Sequence, residues 1–419
     1  MTDQYYGETA FSTRPLTSAI NTPTLLPKQL FSGPPLERVA TNPKMTGCCF
    51  PGLLDRSRNR RGTFRPLYLE FAYSSNAKDN VHWKRESDKR PLIVCFGEMM
   101  INLVPTVSRV SFADTSTFKI ILVGATANVA IGISRLGGST AFIGKVGNDE
   151  FGYMLSDILK QNGVDNSGVL FDDNARTTLA FYALKRDGQA EFMFYRNPSA
   201  DMLLHPEEID LSLIKKVTYV VHATILHYGS TSLIKEPSRS VHLAIMNVAK
   251  VFGCILSYAP NLALPLWPSK GAARKGIMSI WNYTDIIKVS VDEIRILIEG
   301  DDPYDDNVIM KKLYHYNLKL LLITEGARGC RYYTKAFKGW VAGFEVEAVD
   351  PTGAGDSFIG GLLSIVVAHN QIYKDEKRLR EALDFANACG AFTVTGRGII
   401  PALPQKDAVL RIMFSYFNS

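Results

Sequence analysis

The sequence lacks long hydrophobic runs and metal-type cysteine spacing. Its best apolar stretch, Leu362 to Ala368, is far shorter than the roughly 20 residues that a membrane helix needs. There are six cysteines, but no CxxC pair and no Cys/His zinc spacing. Cys95, Cys254 and Cys389 lie in apolar runs, where cysteine behaves as a small buried hydrophobic residue. We therefore expect no membrane span and no zinc site, and a reducing compartment suits these thiols.

A large excess of charge is also absent. Over 419 residues the formal net charge is only +6, and hydrophobic residues make up 46%. This composition excludes a mainly disordered chain and provides a core for one large domain or two smaller ones. Much of the positive charge comes from an arginine cluster, Arg56, Arg58, Arg60, Arg61 and Arg65. Such a cluster can bind nucleic acid or a membrane surface, but it is more often a solvated tail, so we expect neither partner.

The first 90 residues differ in character from the rest. They are rich in Pro, Thr, Ser and Arg, and they show no sustained period of 2 or 3.6. Up to Pro66 they are basic with few acidic residues, which is typical of an organelle transit peptide, although they are not clearly amphipathic. We predict a disordered or targeting extension over residues 1–90 and one folded domain over residues 91–419.

Alternating strand and helix patterns begin at Pro91. Residues 92–96 (LIVCF) read as a buried strand, and residues 126–136 carry apolar side chains at helical spacing before two glycines. Residues 151–161 predict a second helix. Further apolar strands are predicted at 217–222, 254–258, 285–289 and 319–324, with helices at 238–252 and 308–314 among them. This alternation predicts an α/β fold with a mostly parallel sheet covered by helices on both faces.

Additional β-like runs interrupt this alternation within residues 103–122 and 178–195. In the second region, two apolar runs flank the sequence Arg186-Asp187-Gly188, and Asp-Gly is a strong hairpin signal. These runs predict a small separate β-sheet.

A glycine-rich segment near the C-terminus predicts a phosphate site. In residues 349–358 (VDPTGAGDSF), Gly353-Ala354-Gly355 leads into a helix predicted over 357–368. Small residues let backbone N–H groups approach an anion, and a helix N-terminus adds unpaired donors. The segment is not a Walker A loop, because GxxxxGK[ST] is absent.

Asp356 lies at the mouth of this predicted cradle. A carboxylate there opposes simple anion binding, but it suits a base that takes a proton from an attacking hydroxyl. The alternative is that Asp356 only caps the helix, as Asp often does. The chemistry of the motif favours the base.

Two motifs together resemble the signatures of ribokinase-like (pfkB) carbohydrate kinases. DPTGAGDSF resembles the second signature, while GATANVA at 124–130, RLGG at 135–138 and GKVGNDEFG at 144–152 resemble the first and its continuation. The resemblance extends from about residue 91 to the C-terminus. It is strongest to plant fructokinases, in residues 192–202 (FMFYRNPSADM), 304–307 (YDDN) and 400–404 (IPALP).

The resemblance implies a three-layer α/β/α domain with a β-sheet lid, and roles for individual residues. Asp356 would be the catalytic base, with Gly353, Ala354 and Gly355 as the anion hole. The sugar would contact Asn102, Gly124, Asn128 and Arg196. The alternative for Asn128 is an internal helix contact, which asparagine's poor fit in a helix makes the weaker interpretation, and the alternative for Arg196 is a surface ion pair. ATP would contact Thr324, Gly326, Gly329 and Asn387. Glu293 is associated with Mg²⁺ and Asp350 with K⁺.

The resemblance also suggests the partners and the location of the protein. Fructose and ATP are the expected small molecules, and a homodimer through the lid sheet is the expected assembly. The domain resembles cytosolic enzymes, so we expect a cytoplasmic protein, with the plastid as the alternative suggested by residues 1–90.

Several positions depart from the family pattern, and they lie mostly on the sugar side. Asn102 stands where fructokinases have Asp, Val123 replaces the first of two glycines, and Ala259 and Ala263 replace an acid and an arginine. Residues 220–225 look like extra sequence. Two hypotheses follow: a working but weakened fructokinase, or an impaired relative that acts as a binding or regulatory partner. We favour the first, because the residues of the chemical step decide the reaction class.

Overall fold

The computed structural model describes residues 91–107, 110–184, 190–211, 213–214, 225–369 and 371–417. Thirteen strands run through them: β1 Leu92–Phe96, β2 Met100–Pro105, β3 Phe118–Val123, β4 Ser139–Gly147, β5 Asp165–Asp172, β6 Leu179–Leu184, β7 Ala190–Tyr195, β8 Ile225–Tyr228, β9 Ile255–Tyr258, β10 Ile286–Ser290, β11 Leu320–Thr324, β12 Cys330–Tyr333 and β13 Lys338–Val341. The α-helices are α1 Ala125–Arg135, α2 Glu150–Gln161, α3 Ser238–Val251, α4 Lys270–Met278, α5 Val291–Leu297, α6 Asp306–Lys312, α7 Ala354–Val366, α8 Glu376–Val394, α9 Ile399–Ala402 and α10 Lys406–Phe417.

Nine strands form the central sheet, in the order β13-β12-β11-β10-β9-β8-β1-β4-β5. Pairing is parallel from β11 through to β5, and only β12 and β13 at one edge are antiparallel. Strands with both faces covered are expected to be almost wholly apolar, as LIVCF in β1 and LLLIT in β11 are. The predicted mostly parallel α/β sheet is confirmed.

The core consists of two apolar clusters, one on each face of this sheet. One cluster contains core residues of α1, α2, α7, α8 and α10, and the other contains those of α3, α4, α5 and α6. Cys95 and Cys389 are buried in the first cluster and Cys254 in the second, as their apolar surroundings predict. The result is the predicted three-layer α/β/α arrangement.

Four strands form a second, smaller sheet, in the order β3-β2-β6-β7. β2 is antiparallel to β3 and parallel to β6, and β6 and β7 are the antiparallel arms of the predicted hairpin. The separate small sheet predicted within residues 103–122 and 178–195 is therefore confirmed. The turn residues 186–188 lie outside the described residues.

One predicted element differs in its position, and another lies outside the described residues. The helix predicted to start at residue 357 begins at Ala354, because Gly353 adopts a φ of +84° as its N-cap and allows the chain to enter the helix early. The strand predicted at 217–222 lies outside the described residues, as does the predicted extension over residues 1–90. Between β1 and β9 in the sheet lies β8, which begins at Ile225. None of the helices within the described ranges has the length and apolar character that crossing a membrane requires.

Candidate active site

A cleft of about 700 Å³ opens where the central sheet meets the smaller sheet β3-β2-β6-β7, which is the lid. The ends of β10 and β11, the start of α7 and the start of α1 contribute to its walls. In open α/β sheets, ligands bind beyond the carboxyl ends of the strands, and this cleft has that location. Its lining includes Val123, Asn128, Asn261, Lys288, Ser290, Glu293, Thr324, Gly326, Gly353, Gly355 and Asp356.

The start of α7 is the segment that the sequence predicts as an anion cradle. Gly353 has a φ of +84°, and a Cβ atom there would lie 2.6 Å from Cγ2 of Ile399, so only glycine fits without strain. Ala354 and Gly355 belong to the first turn of the helix, where backbone N–H groups have no partner within the helix. The cradle is therefore a helix N-terminus with a partial positive charge, facing the cleft.

Asp356 lies on the same helical turn, at the floor of the cleft. Asn128 of α1 donates a hydrogen bond from Nδ2 to Oδ2 of Asp356 at 2.8 Å. Burial raises the pKa of Asp356 to about 6, with Glu293 acting in the same direction, while the Asn128 hydrogen bond and the charge of Lys288 oppose the shift. A carboxylate with this pKa is ionised at neutral pH and basic enough to accept a proton from a hydroxyl group.

Two of the predicted sugar contacts, Gly124 and Asn128, lie at the join between β3 and α1 and in the first turns of α1. A Cβ atom at Gly124 would lie 2.6 Å from the carbonyl oxygen of Glu98, so the backbone is closely packed there. Asn128 is 2% exposed and donates a hydrogen bond to the carboxylate of Asp356, which is an internal contact. It also lines the cleft, so both alternatives considered from the sequence agree with its position.

Asn102 and Val123 lie on neighbouring lid strands. Asn102 in β2 has a buried Oδ1 atom without a hydrogen-bond partner among the described residues. A buried unpaired acceptor is costly, and a sugar hydroxyl is the type of group that would satisfy it. Val123 lines the cleft. Its φ is not positive, because Asn261 and Glu299 are the only residues other than glycine with a positive φ in the described part of the chain. Val123 therefore causes no backbone strain, but its side chain occupies space that glycine would leave open.

Arg196 is directed away from the main cleft. Its Nε and Nη2 atoms donate to Oδ2 of Asp201 at 2.9 and 2.6 Å, and the two side chains are only 7% and 4% exposed. Both lie beside Glu98 around a small internal cavity. Burial raises the pKa of Glu98 to about 7, although a backbone hydrogen bond and the charge of Arg196 act against it. The geometry makes Arg196 a buried ion-pair partner rather than the surface pair considered from sequence, and its contact with a sugar stays a prediction.

A second cleft of about 610 Å³ contains the predicted nucleotide residues. Thr324, Gly326, Gly329 and Asn387 all line it, and Thr324, Gly326 and Gly355 also line the first cleft. Gly329 has a φ of +96°, and a Cβ atom there would overlap the carbonyl oxygen of Val341. Asn387 donates to the carbonyl oxygen of Ala342 at 2.9 Å. The two clefts thus meet at the anion cradle, as a site that transfers a group between two molecules requires.

Glu293 has a structural role that the sequence did not predict. Its Oε2 accepts hydrogen bonds from the backbone N–H and the hydroxyl of Ser290, at 2.7 and 2.9 Å, and Oε1 accepts from the backbone N–H of Leu262 at 2.9 Å. The carboxylate therefore ties the start of α5 to the loop 259–263. Within this loop Asn261 and Leu262 line the cleft, whereas the departures Ala259 and Ala263 are not among its lining residues.

No group of three or more acidic, histidine or cysteine side chains in the described ranges is arranged to hold a metal by itself. Mg²⁺ bound with a nucleotide needs only one or two carboxylates, because phosphate oxygens and water complete its shell. Glu293, which the resemblance associates with Mg²⁺, lines the cleft, and its two oxygens already accept hydrogen bonds from Ser290 and Leu262.

Asp350 joins two loops beside the cradle. Its Oδ1 accepts from the backbone N–H of Thr352 at 3.0 Å and its Oδ2 from that of Gly398 at 3.2 Å. Burial alone would raise the pKa of Asp350, but the hydrogen bonds from Thr352 and Gly398 and the charge of Arg397 hold it below its usual range. The carboxylate stays ionised, which fits a cation nearby.

Sequence reasoning missed Lys288. This residue lies near the end of β10, in the apolar run IIKVS, and its side chain lines the cleft beside the cradle. A charged residue inside an otherwise buried strand was the available signal, since lysine is rarely buried without a partner. Only the tertiary structure shows which elements it faces.

Transfer of a phosphoryl group to a hydroxyl is the chemistry that such a cleft suits, and α/β/α layers beneath a β-sheet lid are the architecture of ribokinase-like kinases. The chain belongs to the pfkB family of carbohydrate kinases, whose family model matches residues 90–406. It is therefore a sugar kinase by family.

Comparisons with individual proteins agree with this assignment. The chain is 59% identical to probable fructokinase-7 of Arabidopsis thaliana over 83% of this chain and 98% of that protein. It is 55% identical to probable fructokinase-6, chloroplastic, of the same plant, over 87% and 96%. Among solved structures, fructokinase from Xylella fastidiosa with bound ATP aligns with a TM-score of 0.69 at 30% identity, covering 78% of this chain and 99% of that one. Fructokinase from Vibrio cholerae, bound to fructose, ADP and calcium, aligns with a TM-score of 0.67 at 29% identity over the same shares.

Proposed function

We propose that the protein transfers the γ-phosphoryl group of ATP to fructose and forms fructose 6-phosphate and ADP. The observation that carries this proposal is the pairing of a base with a helix N-terminus on one helical turn: Asp356, held by Asn128, adjoins the backbone N–H groups at the start of α7, of which that of Ala354 donates to the carbonyl oxygen of Pro351 at 3.3 Å. The fructokinase relatives, which match over most of this chain, support fructose as the acceptor.

The proposed step is an in-line displacement. The carboxylate of Asp356 takes the proton from the C6 hydroxyl, and the resulting oxygen forms a bond to the γ-phosphorus. The bond from that phosphorus to the β,γ-bridging oxygen breaks, and both electrons leave with ADP. The N–H groups at the start of α7 stabilise the negative charge on the transferred group. Mg²⁺ bound with the nucleotide would neutralise phosphate charge, near Glu293, and K⁺ near Asp350 is suggested by the family resemblance.

The alternative is an impaired relative with a binding or regulatory role. Asn102 and Val123 favour it, because one removes a charge and the other fills space on the sugar side. The intact base and cradle favour catalysis, since contacts to the sugar mostly set its affinity. Ala259 and Ala263 weigh less than their sequence positions suggest, because neither lines the cleft.

The deciding experiment is ATP-dependent phosphorylation of fructose by the purified full-length chain, with Mg²⁺ and K⁺ present and product measured directly. We expect turnover that saturates with both substrates. No turnover at high fructose concentration, from a protein that still binds ADP, would contradict the proposal and support the binding role. Other ketoses in parallel would show the sugar preference.

The change Asn102→Asp is expected to lower KM for fructose. A carboxylate at this position accepts a charge-assisted hydrogen bond that strengthens binding by about 1.5–3 kcal/mol, on the order of tenfold to a hundredfold in affinity. Steady-state kinetics over a range of fructose concentrations measure this effect. Asn282→Asp is the matched control. Asn282 is exposed between α4 and β10, so this substitution adds the same negative charge away from the cleft. An unchanged KM in Asn102→Asp would show that residue 102 does not contact the sugar.

Assembly and location stay predictions. A homodimer through the lid sheet agrees with exposed apolar side chains on β3 and β7, such as Ile120, Phe192 and Tyr195. The cytoplasm was the first expectation, and similarity to a chloroplastic fructokinase supports the plastid alternative. A fusion of residues 1–90 to a fluorescent protein would distinguish the two compartments.

A further inference from the structure

Lys288 lies directly beside the anion cradle. It is two residues from the end of β10, on the face of the sheet that α7 covers. A Cβ atom built on Gly355 would lie only 2.7 Å from Nζ of Lys288, so the ammonium group is close to the first turn of α7. A lysine at a strand end usually extends its ammonium group into solvent. Here the group is directed at the helix turn that would hold the phosphate.

The ammonium group has no partner in the described part of the chain. No hydrogen bond or ion pair to Lys288 forms there, and the carboxylate of Glu293 is occupied by three other donors. His227 on β8 is neutral, because burial lowers its pKa to about 3 and the charge of Lys288 acts in the same direction, so it does not pair with Lys288 as an anion would. A partly buried cation without a partner is unfavourable, and an anion entering the cleft would remove that cost.

We propose that Lys288 binds the γ-phosphoryl group during transfer, through a charge-assisted hydrogen bond from Nζ to one of its non-bridging oxygens. This inference rests on the proposed function, since it assigns a residue to the same transfer. Lysine is a common phosphate binder because it carries a compact positive charge, and the helix N-terminus beside it has the same preference for anions. Together, the Lys288 ammonium group and the N–H groups of the helix N-terminus would surround the phosphoryl oxygens with positive charge.

Lys288 also influences the base. The groups that face Asp356 are Asn128 from α1, Lys288 from β10 and Glu293 from α5. Of these, only Lys288 carries positive charge, and it opposes the increase in the pKa of Asp356 that burial causes. Removal of this charge is therefore expected to move the acidic limb of the kcat profile to higher pH, and Lys288→Arg, which retains the charge, is expected to leave it in place.

The test compares Lys288→Met, which removes the charge, with Lys288→Arg, which retains it. Lys275→Met is the matched control, because Lys275 is exposed on α4. Calorimetry measures the binding of Mg²⁺ with ADP and with a non-hydrolysable ATP analogue. We expect Lys288→Met to lose on the order of tenfold in affinity for the analogue, with ADP binding almost unchanged, because only the analogue has a γ-phosphate.

For the reaction itself, we expect kcat of Lys288→Met to fall about a hundredfold, with partial recovery in Lys288→Arg. Equal analogue affinity in wild type and Lys288→Met would overturn the proposal, whether or not the acidic limb moves. The two proposals can fail separately. A wild type that is inactive on fructose, but whose analogue binding depends on Lys288, contradicts only fructose phosphorylation. An active wild type with a normal Lys288→Met contradicts only the role of Lys288.

Discussion

Asp356→Asn is expected to reduce kcat for fructose phosphorylation by about 10²–10⁴-fold, the range typical of a lost general base. Asparagine has nearly the same shape as aspartate, but it cannot accept the proton from the sugar hydroxyl. Nucleotide affinity should be nearly unchanged, because the N–H groups of the cradle remain. Initial rates at saturating fructose and ATP measure the loss, and calorimetry with ADP measures the binding.

The pH profile supplies a second check on the role of Asp356. Since a base must be ionised to act, wild-type kcat should fall about tenfold per unit as pH decreases below about 6, the pKa that burial produces. The residual activity of Asp356→Asn should not show this limb. If Asp356 were only a helix cap, the variant would retain most of its kcat and would lose stability instead.

Thermal stability also distinguishes a general base from a helix cap at Asp356. The pKa of Asp356 is raised from the usual aspartate value of 3.8 to about 6 in the folded protein. Ionisation of this group therefore costs folding stability, and the cost develops as pH rises from about 3.8 through about 6. A neutral asparagine avoids that cost, although it weakens the hydrogen bond from Asn128. We therefore expect the thermal midpoint of Asp356→Asn at pH 7 to be equal to or above that of the wild type.

Gly353→Ala is expected to lower kcat by about a hundredfold, because it displaces the N–H groups that we propose as the receiving site for the transferred phosphoryl group. Gly353 has a φ of +84°, where a side chain costs about 1–2 kcal/mol, and the new methyl group would lie 2.6 Å from Cγ2 of Ile399. The chain must move to relieve that contact. Kinetics and thermal unfolding, measured on the same preparation, would show loss of rate together with a lower melting temperature.

Gly271→Ala is the matched control for this change. Gly271 lies in α4, and a Cβ atom there would meet only Oγ of Ser269, at 3.9 Å. Alanine is favoured over glycine in a helix by up to about 1 kcal/mol, so this variant should keep its activity and gain a little stability. A Gly353→Ala variant with normal kcat would mean that phosphate binds elsewhere in the cleft.

Much of the fold was predictable because its signals are local. The apolar run in β1, the helical spacing in α1 and the glycines near 137 and 353 each act over a few residues. Their order along the chain then restricts the topology to an α/β sheet with helices on both faces. The start of α7 was misplaced by three residues, because the positive φ of Gly353 depends on its packing against Ile399.

Contacts within the site were less predictable, because they join residues far apart in sequence. Asn128 and Asp356 were both named from their motifs, but their hydrogen bond spans 228 positions and exists only because α1 and α7 pack on the same face of the sheet. Arg196 is a short-range case: the sequence left open a substrate contact or a surface ion pair, and the structure pairs it with Asp201, five residues away, with both side chains buried.

The amino-acid sequence by itself determined the family and the order of the motifs, and it predicted Asp356 as the base with its glycine-rich cradle, because these depend on short-range patterns. The tertiary structure alone decided three further features: the position of Lys288 at that cradle, the binding of Glu293 to the loop at Leu262 and the unpaired oxygen of Asn102. Each of these depends on which strand ends and helix ends come together, and that is set by the order of strands in the sheets rather than by neighbours along the chain.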